Sequence, residues 1–91
     1  MSHLTQHKDA LLKRARRIGG QVQALERALE ADADCAQTLH LAAAIRGALN
    51  GLMDELAEAH AREHVARPGL SDKERNQGLD ELLQALRRYS K

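Results

Sequence analysis

The sequence predicts an all-α fold, a three-helix subunit with a long central helix that pairs antiparallel with a second copy. Three observations predict it. Alanine and leucine dominate the 91 residues, with 16 and 15 copies, and both are strong helix formers. Apolar positions recur in alternating steps of four and three, which is the rhythm of a helix with one buried stripe. Trp and Phe are absent and Tyr89 is the single aromatic, so one subunit has little bulk to fill a core. Small domains bury a modest share of their surface, so helices of this chain are expected to bury their stripes against other subunits. The length fits a single domain over 1–91.

The first helix is expected over about 5–30. Its stripe is Leu11, Ala15, Ile18, Val22, Leu25 and Leu29. Gly19 and Gly20 interrupt it, each at a cost of about 1 kcal/mol relative to Ala, which predicts a close helix–helix contact or a bend at that point. Ala31-Asp32-Ala33-Asp34 reads as a break. Asp34 is a good N-cap, and Gln37 three residues later completes a capping-box pattern. The second helix then runs over about 35–65 with the seam Cys35, Leu39, Ala42, Arg46, Leu49, Met53, Leu56 and His60. Pro68-Gly69 ends it. Ser71-Asp72-Lys73-Glu74 is a capping box that opens a third helix over about 72–90. Leu79, Leu82, Leu83, Leu86 and Tyr89 form its apolar face.

Composition narrows the class of function. One cysteine rules out an internal disulfide framework. The N-terminus lacks the apolar core of a signal peptide, and no run reaches the ~20 apolar residues of a membrane span. A cytoplasmic protein without a membrane partner is expected. No nucleophile–base arrangement or carboxylate pair is visible, so an enzyme is not expected.

His60 and His64 are four residues apart, which on a helix places both imidazoles on one face, one turn apart. The plain alternative is two solvated histidines at a polar helix end. Cys35 lies at the first turn of the same helix, about 37 Å from His60 at ~1.5 Å rise per residue. One straight helix cannot bring these residues together, whereas two copies packed antiparallel can. Setting Cys35 of one copy opposite His60 to His64 of the other puts the crossing point between Gly47 and Asn50. Gly47 and Gly51 flank that point and would let two backbones approach closely. His3, on the N-terminal arm, is the fourth candidate ligand, and removal of Met1 would set a free α-amine beside it. One thiolate with two or three imidazoles suits Ni(II), Co(II) or Zn(II) better than Cu(I). His7 and His40 read as surface residues.

The charge is uneven. Lys8, Lys13, Arg14, Arg16 and Arg17 face only Asp9 in the first 24 residues, although the whole chain is near neutral at +1. Such a basic stripe suits the phosphates of double-stranded DNA, or is simply a solvated helix face. The lack of aromatics argues against stacking on single strands. No helix-turn-helix, zinc finger or leucine zipper is present, so sequence preference would lean on DNA shape and on groups such as Gln21 and Arg46. A plain helical adaptor would instead bind neither metal nor DNA.

The run Arg16-Arg17-Ile18-Gly19-Gly20-Gln21-Val22, the Asp34-Cys35 junction, and the run from Ala44 to Met53 followed by His60 and His64 resemble the CsoR/RcnR family of bacterial repressors. The resemblance covers essentially the whole chain. It implies a disc-shaped dimer of dimers that binds operator DNA when metal-free. The inducer releases the DNA and derepresses an efflux or detoxification gene. The set His3, Cys35, His60 and His64, with the Met-Ser-His start, resembles the nickel/cobalt-sensing RcnR branch. Copper sensors carry Cys where His64 stands. The formaldehyde-sensing FrmR branch shares the cysteine but pairs it with an N-terminal proline amine, whereas residue 2 here is Ser.

Overall fold

A computed structural model describes residues 7–89. It contains three α-helices, α1 (Lys8–Glu30), α2 (Cys35–Ala61) and α3 (Asp72–Tyr89), and a π-helical turn (Arg62–Ala66) that continues α2. No strand occurs among the described residues. By contact the chain forms two compact units, 7–53 and 54–89.

In the 7–53 unit, α1 starts without a side-chain cap at His7. It runs unbroken through Gly19 and Gly20, where an added Cβ would meet nothing within 4 Å. The expected close helix–helix contact at these glycines is therefore not made among the described residues, because both face open space. The end of α1, where the sequence shows only a break, is a Schellman motif. Ala33 N–H donates to Ala28 O at 2.9 Å and Asp32 N–H to Leu29 O at 3.2 Å. Asp32 occupies the left-handed position with φ 53°, where Gly is usual and Asp is tolerated. Asp34 caps α2 as expected, accepting from Gln37 N–H at Oδ2 over 3.3 Å.

Leu11, Ile18 and Ile45 are the buried hydrophobic residues, and no side chain among the described residues is fully buried. The expected α1 stripe divides: Leu11 and Ile18 go inside, Leu25 is half-buried, and Ala15, Val22 and Leu29 are exposed. On α2 the inward face is Ile45 with half-buried Leu41 and Ala48, while Leu39, Ala42, Arg46 and Leu49 of the expected seam are exposed. Leu39 is 66% and Leu49 49% exposed, a large apolar surface for a helix whose other face is already occupied.

In the 54–89 unit, the chain departs from the expected continuous α-helix. After Ala61 it widens into the π turn, whose i→i+5 bonding fits one extra residue into the turn. Pro68 and Gly69 follow. Gly69 has φ +90°, the value a type II turn needs after proline. The Ser71–Glu74 capping box is closed on both sides. Glu74 N–H donates to Ser71 Oγ at 3.1 Å, and Ser71 N–H donates to Glu74 Oε1 at 2.9 Å. These bonds hold the Glu74 carboxyl below its ordinary value, the Ser71 backbone bond contributing most and the Ser71 hydroxyl next.

α3 packs against the π turn. Its inner face is Gly78, which is buried, with half-buried Arg75, Leu82, Leu86 and Tyr89. Leu79 and Leu83, expected on this face, are both 39% exposed. Hydrophobicity alone places the face one step too far round, because the residue at its centre is a glycine. Tyr89 closes the unit by donating its hydroxyl to Asp54 Oδ1 at 2.8 Å.

Candidate metal centre

His60 and His64 lie where α2 gives way to the π turn. Their ring centroids are 4.8 Å apart with planes tilted by 36°, and both residues are half-buried. The sequence-predicted pair is thus brought together. His60 Nε2 lies 2.9 Å from the carbonyl oxygen of Gly78. A carbonyl can only accept, so this bond needs the proton on Nε2, which leaves the lone pair of a neutral ring on Nδ1. Glu81 Oε1 lies 3.7 Å from the same Nε2. Metal-binding imidazoles commonly donate their second nitrogen to such a carbonyl or carboxylate.

Gly78 also explains how the pair is packed. A Cβ there would sit 2.7 Å from the carbonyl carbon of His64 and 2.8 Å from its Cβ, so only glycine admits the His64 main chain this close to α3. Arg75, one turn earlier on α3, donates to Val65 O and to Leu70 O at 3.3 Å. Sequence reasoning misses Gly78, Glu81 and Arg75. The available signal is a lone glycine inside a strongly helical pattern, which calls for a packing reason.

Cys35 is exposed with a free thiol and stands at the opposite terminus of α2. Among the described residues no three His, Cys, Asp or Glu side chains gather at one point. His3 lies outside the described residues. Two imidazoles at this spacing fit half of a borderline metal site, and the remaining donors must come from elsewhere than the His60–His64 cluster.

The model of a metal-sensitive transcriptional repressor matches residues 7–88. The chain belongs to this family of repressors. It is a family of metal-sensitive repressors of transcription, not of enzymes, so this repressor acts on DNA. It is 46% identical, over the full length of both chains, to a Serratia marcescens protein described as an uncharacterized protein in the bioA 5′ region. It is 43% identical, again over both full lengths, to an Escherichia coli transcriptional repressor RcnR homolog. Among solved structures, a variant of the formaldehyde-responsive regulator FrmR from Salmonella enterica serovar Typhimurium matches with a TM-score of 0.86 and 43% identity. That match covers 92% of this chain and 94% of the other.

The repressor's basic residues are not equivalent. Lys8, Lys13, Arg16 and Arg17 are exposed on α1. Arg14 is half-buried, and its Nη2 lies where a Cβ on Gly51 would come within 2.5 Å. Gly51 thus has a partner inside the chain, which the expectation of a bare helix-crossing point did not include. The side-chain oxygen Oε1 of Gln21 is buried without a hydrogen-bond partner, so this amide is not turned wholly outward. Arg46 lines a shallow groove on α2 with Leu39, Ala42, Ala43, Gly47 and Asn50. A Cβ on Gly47 would meet nothing. No helix among the described residues is long and apolar enough to cross a membrane.

Proposed function

We propose that this protein is a nickel- or cobalt-responsive repressor, bound to operator DNA when metal-free and released when the metal binds, which derepresses an efflux or detoxification gene. The ligands are Cys35 of one protomer with His60 and His64 of its partner, and His3 joins them from the N-terminal arm. The observation that carries this reading is the placement of donors on α2. Two adjacent imidazoles occupy one end, an exposed thiol occupies the other, and an exposed apolar seam lies between them. An antiparallel pair of α2 helices covers that seam and brings the two ends together twice, one site at each end. Gly47 and Asn50 line the groove at the crossing point, with Gly51 beside them, and two such dimers assemble into a tetramer. The thin core of the isolated chain supports such an assembly.

Lys8, Lys13, Arg16 and Arg17 make the phosphate contacts, with Arg14, Gln21 and Arg46 as neighbouring contributors. The family model spans 7–88 without interruption, in keeping with one repressor domain located in the cytoplasm. The test is a titration of Ni(II) or Co(II) into the complex with duplex DNA from upstream of the protein's own gene, followed by fluorescence anisotropy. Release is expected. DNA that stays bound at saturating metal overturns the reading. The absorption spectrum of the Co(II) form separates a six-coordinate nickel/cobalt site from a tetrahedral zinc-type site.

A second reading rests on the exposed Cys35 thiol and on the FrmR-like structure. Here Cys35 is a nucleophile and the N-terminal amine completes a methylene crosslink with formaldehyde, with loss of water. Intact mass then rises by about 12 Da per link. A chain whose mass is unchanged by formaldehyde at Cys35 removes this alternative.

A further inference from the structure

Gly78 and Arg75 of α3 have no role in the ligand set, yet Gly78 touches both histidines and Arg75 binds the main chain next to His64. The Gly78 carbonyl accepts from His60 Nε2 at 2.9 Å. Its missing side chain admits the His64 main chain, which a Cβ would approach within 2.7 Å at the carbonyl carbon. That contact is with backbone and cannot rotate away. Arg75, three residues earlier on the same face of α3, donates to Val65 O and to Leu70 O at 3.3 Å. Val65 lies in the last part of the π turn, which is itself a wide and uncommon turn, and Leu70 lies in the loop that leads from it to α3.

We propose that Gly78 and Arg75 are positioning residues, through which α3 holds the π turn at Arg62–Ala66 and so fixes the spacing and tilt of the His64 imidazole relative to that of His60. The inference rests on the reading of His60 and His64 as metal ligands. A methyl group at position 78 pushes the His64 main chain off α3 and disturbs the bond that keeps the proton on His60 Nε2. Loss of the Arg75 guanidinium leaves the Val65 and Leu70 carbonyls without that donor and lets the turn relax towards an ordinary α-helix. Relaxation turns His64 about the helix axis and changes the spacing and tilt of its ring relative to that of His60.

The experiment uses the full chain, with Gly78→Ala, Arg75→Gln and Cys35→Ala variants. The first readout is the ¹⁵N imidazole spectrum of the metal-free protein. The wild type is expected to show His60 protonated at Nε2, and Gly78→Ala to lose that signature. A purely structural role lowers the melting temperature without moving it. The second readout is Co(II) titration by absorption. Both α3 variants are expected to bind Co(II) roughly 10–100-fold more weakly, with altered ligand-field bands. The sulfur-to-cobalt band should persist in both, because Cys35 is intact. If Gly78→Ala fails to fold, Arg75→Gln carries the test. Wild-type Co(II) affinity in both variants, with the His60 signature unchanged, overturns this inference alone. A wild-type protein that binds Co(II) with no band removed by Cys35→Ala overturns the metal-site reading instead.

Discussion

At the scale of single residues, hydrogen-bond chemistry decides what each candidate can contribute. The Gly78 carbonyl selects one protonated nitrogen on His60, and the His64 ring follows from how close its own main chain comes to α3. On the basic stripe, exposure separates residues that look alike in sequence. Lys13 and Arg17 are exposed, whereas Arg14 is half-buried against Gly51. Lys13→Ala and Arg17→Ala are therefore expected to weaken operator binding. Each should lower the slope of log affinity against log salt by about 1, the loss of one phosphate contact. Anisotropy titrations over a range of salt concentrations check this, and an unchanged slope removes the residue from the interface.

At the scale of elements, the helix ends carry the local energetics. Asp32 holds the left-handed position that ends α1. Asp32→Gly removes that strain while keeping both Schellman bonds, and is expected to stabilise the protein by about 1 kcal/mol, read as a rise in denaturant midpoint. At the start of α3, Glu74 is held below its usual carboxyl value of 4.5, mainly by the Ser71 backbone N–H. A depressed carboxyl stabilises the fold fully above its unfolded value, and that contribution disappears as pH falls through the folded one. Amide exchange at residues 72–75 should therefore accelerate in acid beyond the intrinsic rate. Glu74→Gln should remove most of that pH dependence, and equal pH profiles for the two proteins would count against the cap. The π turn is a third such element. Its residues, Arg-Glu-His-Val-Ala, carry no pattern that separates it from an α-helix, and it packs against α3.

At the scale of the whole molecule, the question is which surfaces remain for a second copy. Leu39 and Leu49 stay exposed on α2 although the periodicity marks them as a buried seam. Leu49→Glu puts a charge on that seam and is expected to shift the protein to a smaller species in analytical ultracentrifugation, with loss of the sulfur-to-cobalt band. Mixing chains tests the sharing of ligands more directly. Cys35→Ala and His60→Ala chains are each expected to lack a complete site. Refolded together, they should regain one intact site per mixed dimer, because each supplies what its partner lacks. A mixture that binds Co(II) no better than either variant alone rules out a shared site.

Helix content, the two breaks, both helix caps and the His60–His64 pairing are readable in the residues, because each depends on neighbours within one turn of chain. The periodicity also marks the α2 seam, whose leucines the folded chain leaves uncovered. Its limits lie where an apolar pattern carries no information. Gly78 has no side chain to register as core, so the pattern sets the α3 face too near Leu79 and Leu83. Gly19 and Gly20 suggest a contact that open space does not provide. Tertiary structure alone decided the π turn, the clamp by Gly78 and Arg75, and the burial of Arg14 against Gly51. Each of these depends on how closely two backbones approach, a distance that no residue encodes by itself.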